Sequence, residues 1–239
     1  MTLFAATVSD QLRASSRRLV RTVDAMTDDD WVEPSLLPGW SRAHVVAHLA
    51  LNAEGLIGAV MGVVEGRAVP MYASDQRRDG DIAELGAASP SQLRDRLFGA
   101  VTTLGDALTA LAGASDPAAT TLIERTPEGS RRFPASRVTG MRWREVEIHH
   151  VDLGCGYSPA HWPGEFGRAL LEDSAHRHQV NVDATLVATD LDWSLQLGTG
   201  EPTVSGPAHG LAWWLTGRAP YPGSEVTSHD GVLPGIEGL

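Results

Sequence analysis

Lysine does not occur in this sequence: all nineteen basic side chains are arginine. A Schiff base on lysine and a Walker-type phosphate loop, whose lysine holds the phosphates, are therefore excluded. Arginine codons are GC-rich and lysine codons are not, so the bias points to a GC-rich genome and to no mechanism. Cysteine is nearly as scarce. Cys155 stands alone and cannot close an internal disulfide, which suits a reducing cytoplasm. No run approaches the roughly 18 apolar residues expected of a membrane span. The opening TLFAATVSDQLRASSRR lacks the apolar core expected of a signal peptide. Neither G-x-S-x-G nor H-E-x-x-H is present, and no Gly-rich phosphate loop, so a hydrolase or nucleotide-binding reading has no motif to rest on. The net charge of −11 leaves no basic face for nucleic acid.

What the chain does hold is ordinary core material: 239 residues, 42% of them hydrophobic, enough for one large or two small domains. Residues 5–26 place Leu12, Leu19, Val20, Val23 and Met26 at helical spacing. A loop, EPSLLPGW, leads to Ser41, a suitable N-cap for a helix over about 41–65. Ser89-Pro90 opens a third helix whose Leu93, Leu97, Val101, Leu104, Leu108 and Leu111 form one apolar seam. A fourth helix covers about 135–153 and stops at Gly154. After a Gly/Pro-rich boundary at 154–164 the pattern changes. A helix near 164–179 precedes the strand-like runs ATLVATD, DWSLQLG and PTVSGP, then a helix around 207–217 and a final strand-like SEVTSHDG. The expected class is multidomain α+β: a helical bundle over residues 1–155 and a small α+β domain over 160–239.

The fourth helix carries an anomaly. At about 100° per residue, Arg142, Glu145, His149 and Asp152 share one stripe, bordered by Met141, Ile148 and Val151 on one side and Val146 and Leu153 on the other. The second helix repeats it, with His44, His48 and Asn52 at consecutive i,i+4 positions among Val45, Leu49, Leu51 and Leu56. Carboxylates turned inward need a cation or a proton. A metal shared by facing helices satisfies both stripes, as does a hydrogen-bonded polar core. A Glu-x-x-x-His pair plus one more histidine is a His₂Glu set, which suits zinc with an open coordination position.

The stretches LPGWSRAHVVAHLALNAEG and MRWREVEIHHVDLG resemble the second- and fourth-helix signatures of the DinB-like thiol-dependent enzymes. PMYASDQRRDGDIA and the C-terminal GLAWWLTGR narrow the resemblance to the mycothiol-dependent maleylpyruvate isomerase family, across the whole chain. The resemblance implies a DinB-like four-helix bundle followed by a sterol-carrier-protein-like domain. It implies that His48, Glu145 and His149 bind a divalent metal, zinc by preference. Arg78 and Arg218 are implied to handle substrate carboxylates, Arg218 as a catalytic residue reaching the metal from the C-terminal domain. Asp152 is a candidate to orient His149, or to make a simple helix-end hydrogen bond. His44 is left between a ligand and a residue that orients a neighbour. Neither His150, which points off the stripe, nor Cys155 is assigned the chemistry.

The family reaction turns maleylpyruvate into its trans isomer fumarylpyruvate, a step of gentisate and aromatic degradation. A double bond must lose bond order before it rotates. Reversible addition of a zinc-bound mycothiol thiolate would do this, covalent catalysis with a borrowed nucleophile. The expected partners are maleylpyruvate and mycothiol, with no nucleic acid, membrane or obligate protein partner, in the cytoplasm. The rivals are a mycothiol S-transferase, which shares all the ligand residues but conjugates electrophiles permanently, a thiol-exchange enzyme of natural-product assembly, and a non-catalytic metal- or thiol-sensing bundle, against which the intact ligand set and the arginines count.

Overall fold

The computed structural model describes residues 2–114, 116–178 and 181–236. The chain divides into two compact units, Met1–Cys155 and Gly156–Leu239, and is mostly helical α+β.

The first unit is built on α1 (Thr2–Ala25), α2 (Arg42–Val64), α3 (Asp75–Gly86), α4 (Pro90–Ala112) and α6 (Val138–Asp152), with a short α5 (Asp116–Thr120). α2 packs most extensively on α4 and also meets α3 and α6, while α1 lies along α6. The sequence of α2 explains its central place. Val45, Val46, Leu49, Leu56 and Val60 are fully buried, and Ala43, Ala47, Ala50, Ala53 and Ala59 between them let neighbouring backbones come close. A helix apolar almost all round belongs in a core. Although it holds no unbroken apolar run of spanning length, Arg42–Val64 is long and apolar enough to cross a membrane, yet two thirds of its most apolar stretch is buried inside the protein.

The expected Ser41 cap forms, and the helix start expected at Ser89-Pro90 is capped as well. The Ser41 side chain accepts from the His44 N–H, and Ser89 and Gln92 make a reciprocal capping box ahead of Pro90. α6 starts after a 3₁₀ turn at Ala135–Arg137 and is followed by Gly154 at φ +67°, a conformation open to glycine. Besides the short α5 and a 3₁₀ turn at Asp29–Trp31, two features were not anticipated. α3 has only Ile82 buried, so its sequence, DQRRDGDIAELG, shows no apolar stripe. The other is a hairpin of β1 (Leu122–Glu124) and β2 (Arg132–Pro134), too short for alternation to register.

In the second unit, α7 (Gly164–His178) and α8 (Ala208–Trp214) pack on one another. The sheet runs β4 (Trp193–Leu197), β3 (Ala184–Ala188), β5 (Thr203–Gly206), β6 (Thr227–Ser228). β3 pairs antiparallel with β4 and parallel with β5. Ala184, Leu186 and Ala188 are buried in alternation, the period-two pattern that made this run readable as a strand. Residue 179, where the helix near 164–179 was expected to end, lies outside the described residues.

Candidate metal centre

α6 is polar on two sides, and each side meets a different helix. Toward α1, the fully buried Glu147 accepts from Arg18 Nη2 at 2.8 Å and from the Ser15 hydroxyl. Trp143 Nε1 donates to Ser15 Oγ at 3.0 Å, and His150 Nε2 lies 2.8 Å from Thr22 Oγ1. These contacts pair a buried carboxylate with a cation and leave His150 in a structural role.

Toward α2, the stripe expected from the sequence converges. One nitrogen each from His48 and His149 and one oxygen of Glu145 all lie within 4.8 Å of one another. His48 Nε2 is 2.9 Å from Glu145 Oε2, and His149 Nε2 is 3.5 Å from the same oxygen. The two imidazoles meet edge to face with centroids 4.6 Å apart. His149 Nδ1 is 2.8 Å from Oδ2 of the fully buried Asp152. That contact fixes the ring and presents Nε2 to the centre. Three convergent donors of two types, one already aligned by a buried carboxylate, fit a divalent metal of the zinc class.

Electrostatics matches this donor set. Burial pushes the His48 imidazole down to about 4, helped by the neighbouring His149, so it stays neutral and able to donate a lone pair near neutral pH. Burial alone would raise Glu145, but hydrogen bonds from His149 and His48 prevail and hold it well below the usual carboxylate range. His149 is the reverse case. Burial would depress it, yet its bonds to Asp152 and Glu145 raise it.

Arg142, the first residue of the stripe, is fully buried, donating from Nη1 to Leu49 O at 2.9 Å and to Asn52 Oδ1 at 2.7 Å. Arg78, from α3, comes within 3.2 Å of His48 Nδ1 through Nη2. An arginine only donates, so Nδ1 accepts here and the ring proton lies on Nε2, facing Glu145. A metal on Nε2 would require that proton on Nδ1. Metal binding and this Arg78 contact are therefore alternatives.

The remaining residues are placed as follows. His44 is turned to the start of its own helix, with Nδ1 2.8 Å from Ser41 Oγ, and its ring stacks over Gly86, where a Cβ would come within 3.0 Å. Arg218 belongs to the second unit. Its Nη1 is 3.4 Å from Thr216 O and its guanidinium lies 5.2 Å from the centroid of the Trp213 ring. Burial pushes the half-buried Cys155 thiol up, away from the thiolate. The sequence reading assigned no role to Tyr72. It stands in a loop, where no periodicity exposes a polar residue turned inward.

Residues 12–154 match the family model of the mycothiol maleylpyruvate isomerase N-terminal domain. Two solved structures superpose along nearly the whole chain, a mycothiol-dependent maleylpyruvate isomerase and a histidine-to-alanine variant of such an enzyme. The first is 28% identical and the second 27%, each with a TM-score of 0.86, covering 98% of this chain and 97% of theirs. No curated protein matches. With its first unit matched almost end to end, the chain belongs to the mycothiol maleylpyruvate isomerase family.

Proposed function

We propose that this protein is a metal- and mycothiol-dependent maleylpyruvate isomerase of the cytoplasm, acting in the gentisate route of aromatic degradation. The observation that carries the reading is the convergence of His48, Glu145 and His149 in a chain of this family. The four long helices α1, α2, α4 and α6 are read as a DinB-like bundle, and the second unit as sterol-carrier-protein-like.

Zinc held by these residues would stabilise the cosubstrate sulfur as a thiolate, the form able to add reversibly to the alkene. The protein's own groups do the rest. Asp152 keeps His149 in the tautomer that offers Nε2. Arg142 places a permanent positive charge under Glu145 without reaching bulk water. Arg78, once released from His48, and Arg218 are assigned the substrate carboxylates, because a guanidinium grips a carboxylate in a fixed plane. Gripping a carboxylate orients the alkene toward the sulfur, and one end must be let go or swing with its arginine for the central bond to turn.

Incubation of the purified protein with maleylpyruvate, with and without mycothiol and before and after metal removal, tests the reading. Formation of fumarylpyruvate, with thiol recovered and activity restored by zinc, is the expected result. Consumption of thiol into a stable conjugate would assign the protein to the S-transferases instead.

A further inference from the structure

The segment that carries Tyr72 is held against α2 by two devices. Met71 N–H and Tyr72 N–H donate to the carbonyls of Glu124 and Arg125, both at 3.0 Å, so the hairpin end fixes the backbone. On the α2 side the facing residue is Gly55. A Cβ there would come within 2.9 Å of Met71 O and 3.2 Å of Tyr72 Cε1. The guanidinium groups of Arg78 and Arg125 stand 5.8 and 5.5 Å from the ring centroid.

The hydroxyl is set by a chain of fixed donors. Arg142 donates to Asn52 Oδ1 at 2.7 Å, and because arginine cannot accept, the Asn52 amide has only one sensible orientation. Its Nδ2 then faces the Tyr72 oxygen, at 3.5 Å. Tyr72 is thus an acceptor toward the protein. Among the described residues no hydrogen-bond acceptor takes its own O–H proton. Tyr72 and Arg78 both line a cavity of about 1050 Å³ between α2, α3 and α4. Arg78 links this cavity to the candidate metal centre, lining the one with Tyr72 and reaching His48 Nδ1 of the other at 3.2 Å, and the Glu145 charge acts on the Tyr72 phenol.

We propose that the Tyr72 hydroxyl is a catalytic hydrogen-bond donor, binding the substrate keto oxygen on which negative charge builds during isomerisation. The inference rests on the isomerase reading above. When the thiolate adds, a C–S bond forms and the alkene π pair moves, through the conjugated chain, onto that oxygen. After rotation the pair returns and the C–S bond breaks. No proton need be transferred, so a fixed donor is sufficient, and it acts where the charge develops. Burial raises the Tyr72 phenol above its usual value, against the opposing pull of Arg78, so it remains a donor at neutral pH.

Tyr72→Phe keeps the ring and the arginine contacts and removes the hydroxyl, and with it the donor and the long 3.5 Å contact from Asn52. The expected result on full-length, zinc-loaded enzyme is a kcat lower by roughly 10²–10³-fold, the usual effect of one lost oxyanion donor, with KM nearly unchanged. Zinc content and melting temperature should match the unsubstituted protein. Calorimetry with acetopyruvate, a diketo acid with no alkene to isomerise, gives a readout free of turnover. The variant should bind its ionised enol, which carries the charge on that oxygen, about tenfold more weakly, as expected for one lost hydrogen bond to a charged group, and the neutral diketo form nearly unchanged. A kcat within about twofold of the unsubstituted enzyme would overturn the proposal. So would a loss accompanied by loss of zinc, since Tyr72 would then be structural. Absence of any maleylpyruvate turnover in the unsubstituted protein would instead bring down the isomerase reading, and this proposal with it.

Discussion

Histidines 48 and 149 lie side by side and respond oppositely to their surroundings, and the difference is measurable. In the metal-free protein His48 is depressed to about 4 by burial, whereas an unfolded histidine titrates near 6.5. The unfolded chain therefore binds the extra proton first, and folding stability falls as pH drops from about 6.5 toward 4, by at most about 1.4 kcal/mol per pH unit. His149 is raised, so the stability that it contributes is complete below about 6.5 and is lost as pH rises through its folded value. The two windows do not overlap. Denaturant titrations of metal-free protein should show the acid slope, and His48→Gln should remove it while leaving the upper window in place. Identical slopes in the two proteins would show that His48 is not held neutral by burial. Metal affinity has its own residue-scale tests. Asp152→Asn should weaken zinc binding by about 10–100-fold, the usual effect of losing the group that orients a ligand. Arg78→Ala should do the opposite, tightening zinc while impairing turnover, because it removes a donor that competes for His48. Competition with a chelating dye reads both.

At the scale of elements, α2 and α6 were legible because their polar residues recur at helical spacing inside apolar faces. His48, Glu145, His149 and Asp152 come together through that periodicity, and so does the buried pair of Arg142 and Asn52. α3 and the hairpin were not legible, since a helix with one buried residue and strands of three residues carry too few apolar positions to show a period. Glu147 was missed for another reason. Its partners Ser15 and Arg18 come from α1, where they read as ordinary surface residues. The crossing of the 67–74 segment over α2 is equally silent in a single sequence, although two glycines permit it. At Gly62 a Cβ would come within 2.7 Å of Val69 Cγ2 and 2.9 Å of Arg67 O, and Gly55 guards the passage of Met71 and Tyr72. Gly55→Ala presses on backbone, so the segment must shift. The expected outcome is unchanged zinc content with kcat reduced at least as far as in Tyr72→Phe. Full activity in Gly55→Ala would show that the placement of this segment does not matter to the reaction.

For the whole molecule, the division of labour follows the two units. Every candidate metal ligand lies within Met1–Cys155, whereas Arg218 lies in Gly156–Leu239. Arg218→Gln should therefore retain full zinc content and lose turnover, and unchanged kinetics in that variant would remove its assigned role. The second unit was readable as α+β from its alternating strands, while its part in the chemistry rests on family resemblance alone. The central claim is that one metal site, working with a recycled thiol, isomerises maleylpyruvate. The most direct measurement is titration of zinc into metal-free protein at a mycothiol concentration far below that of maleylpyruvate, following fumarylpyruvate. Activity should rise linearly and level off at one zinc per chain, with each thiol molecule supporting many turnovers. Full activity without metal, or product that stops at one equivalent of thiol, would contradict it.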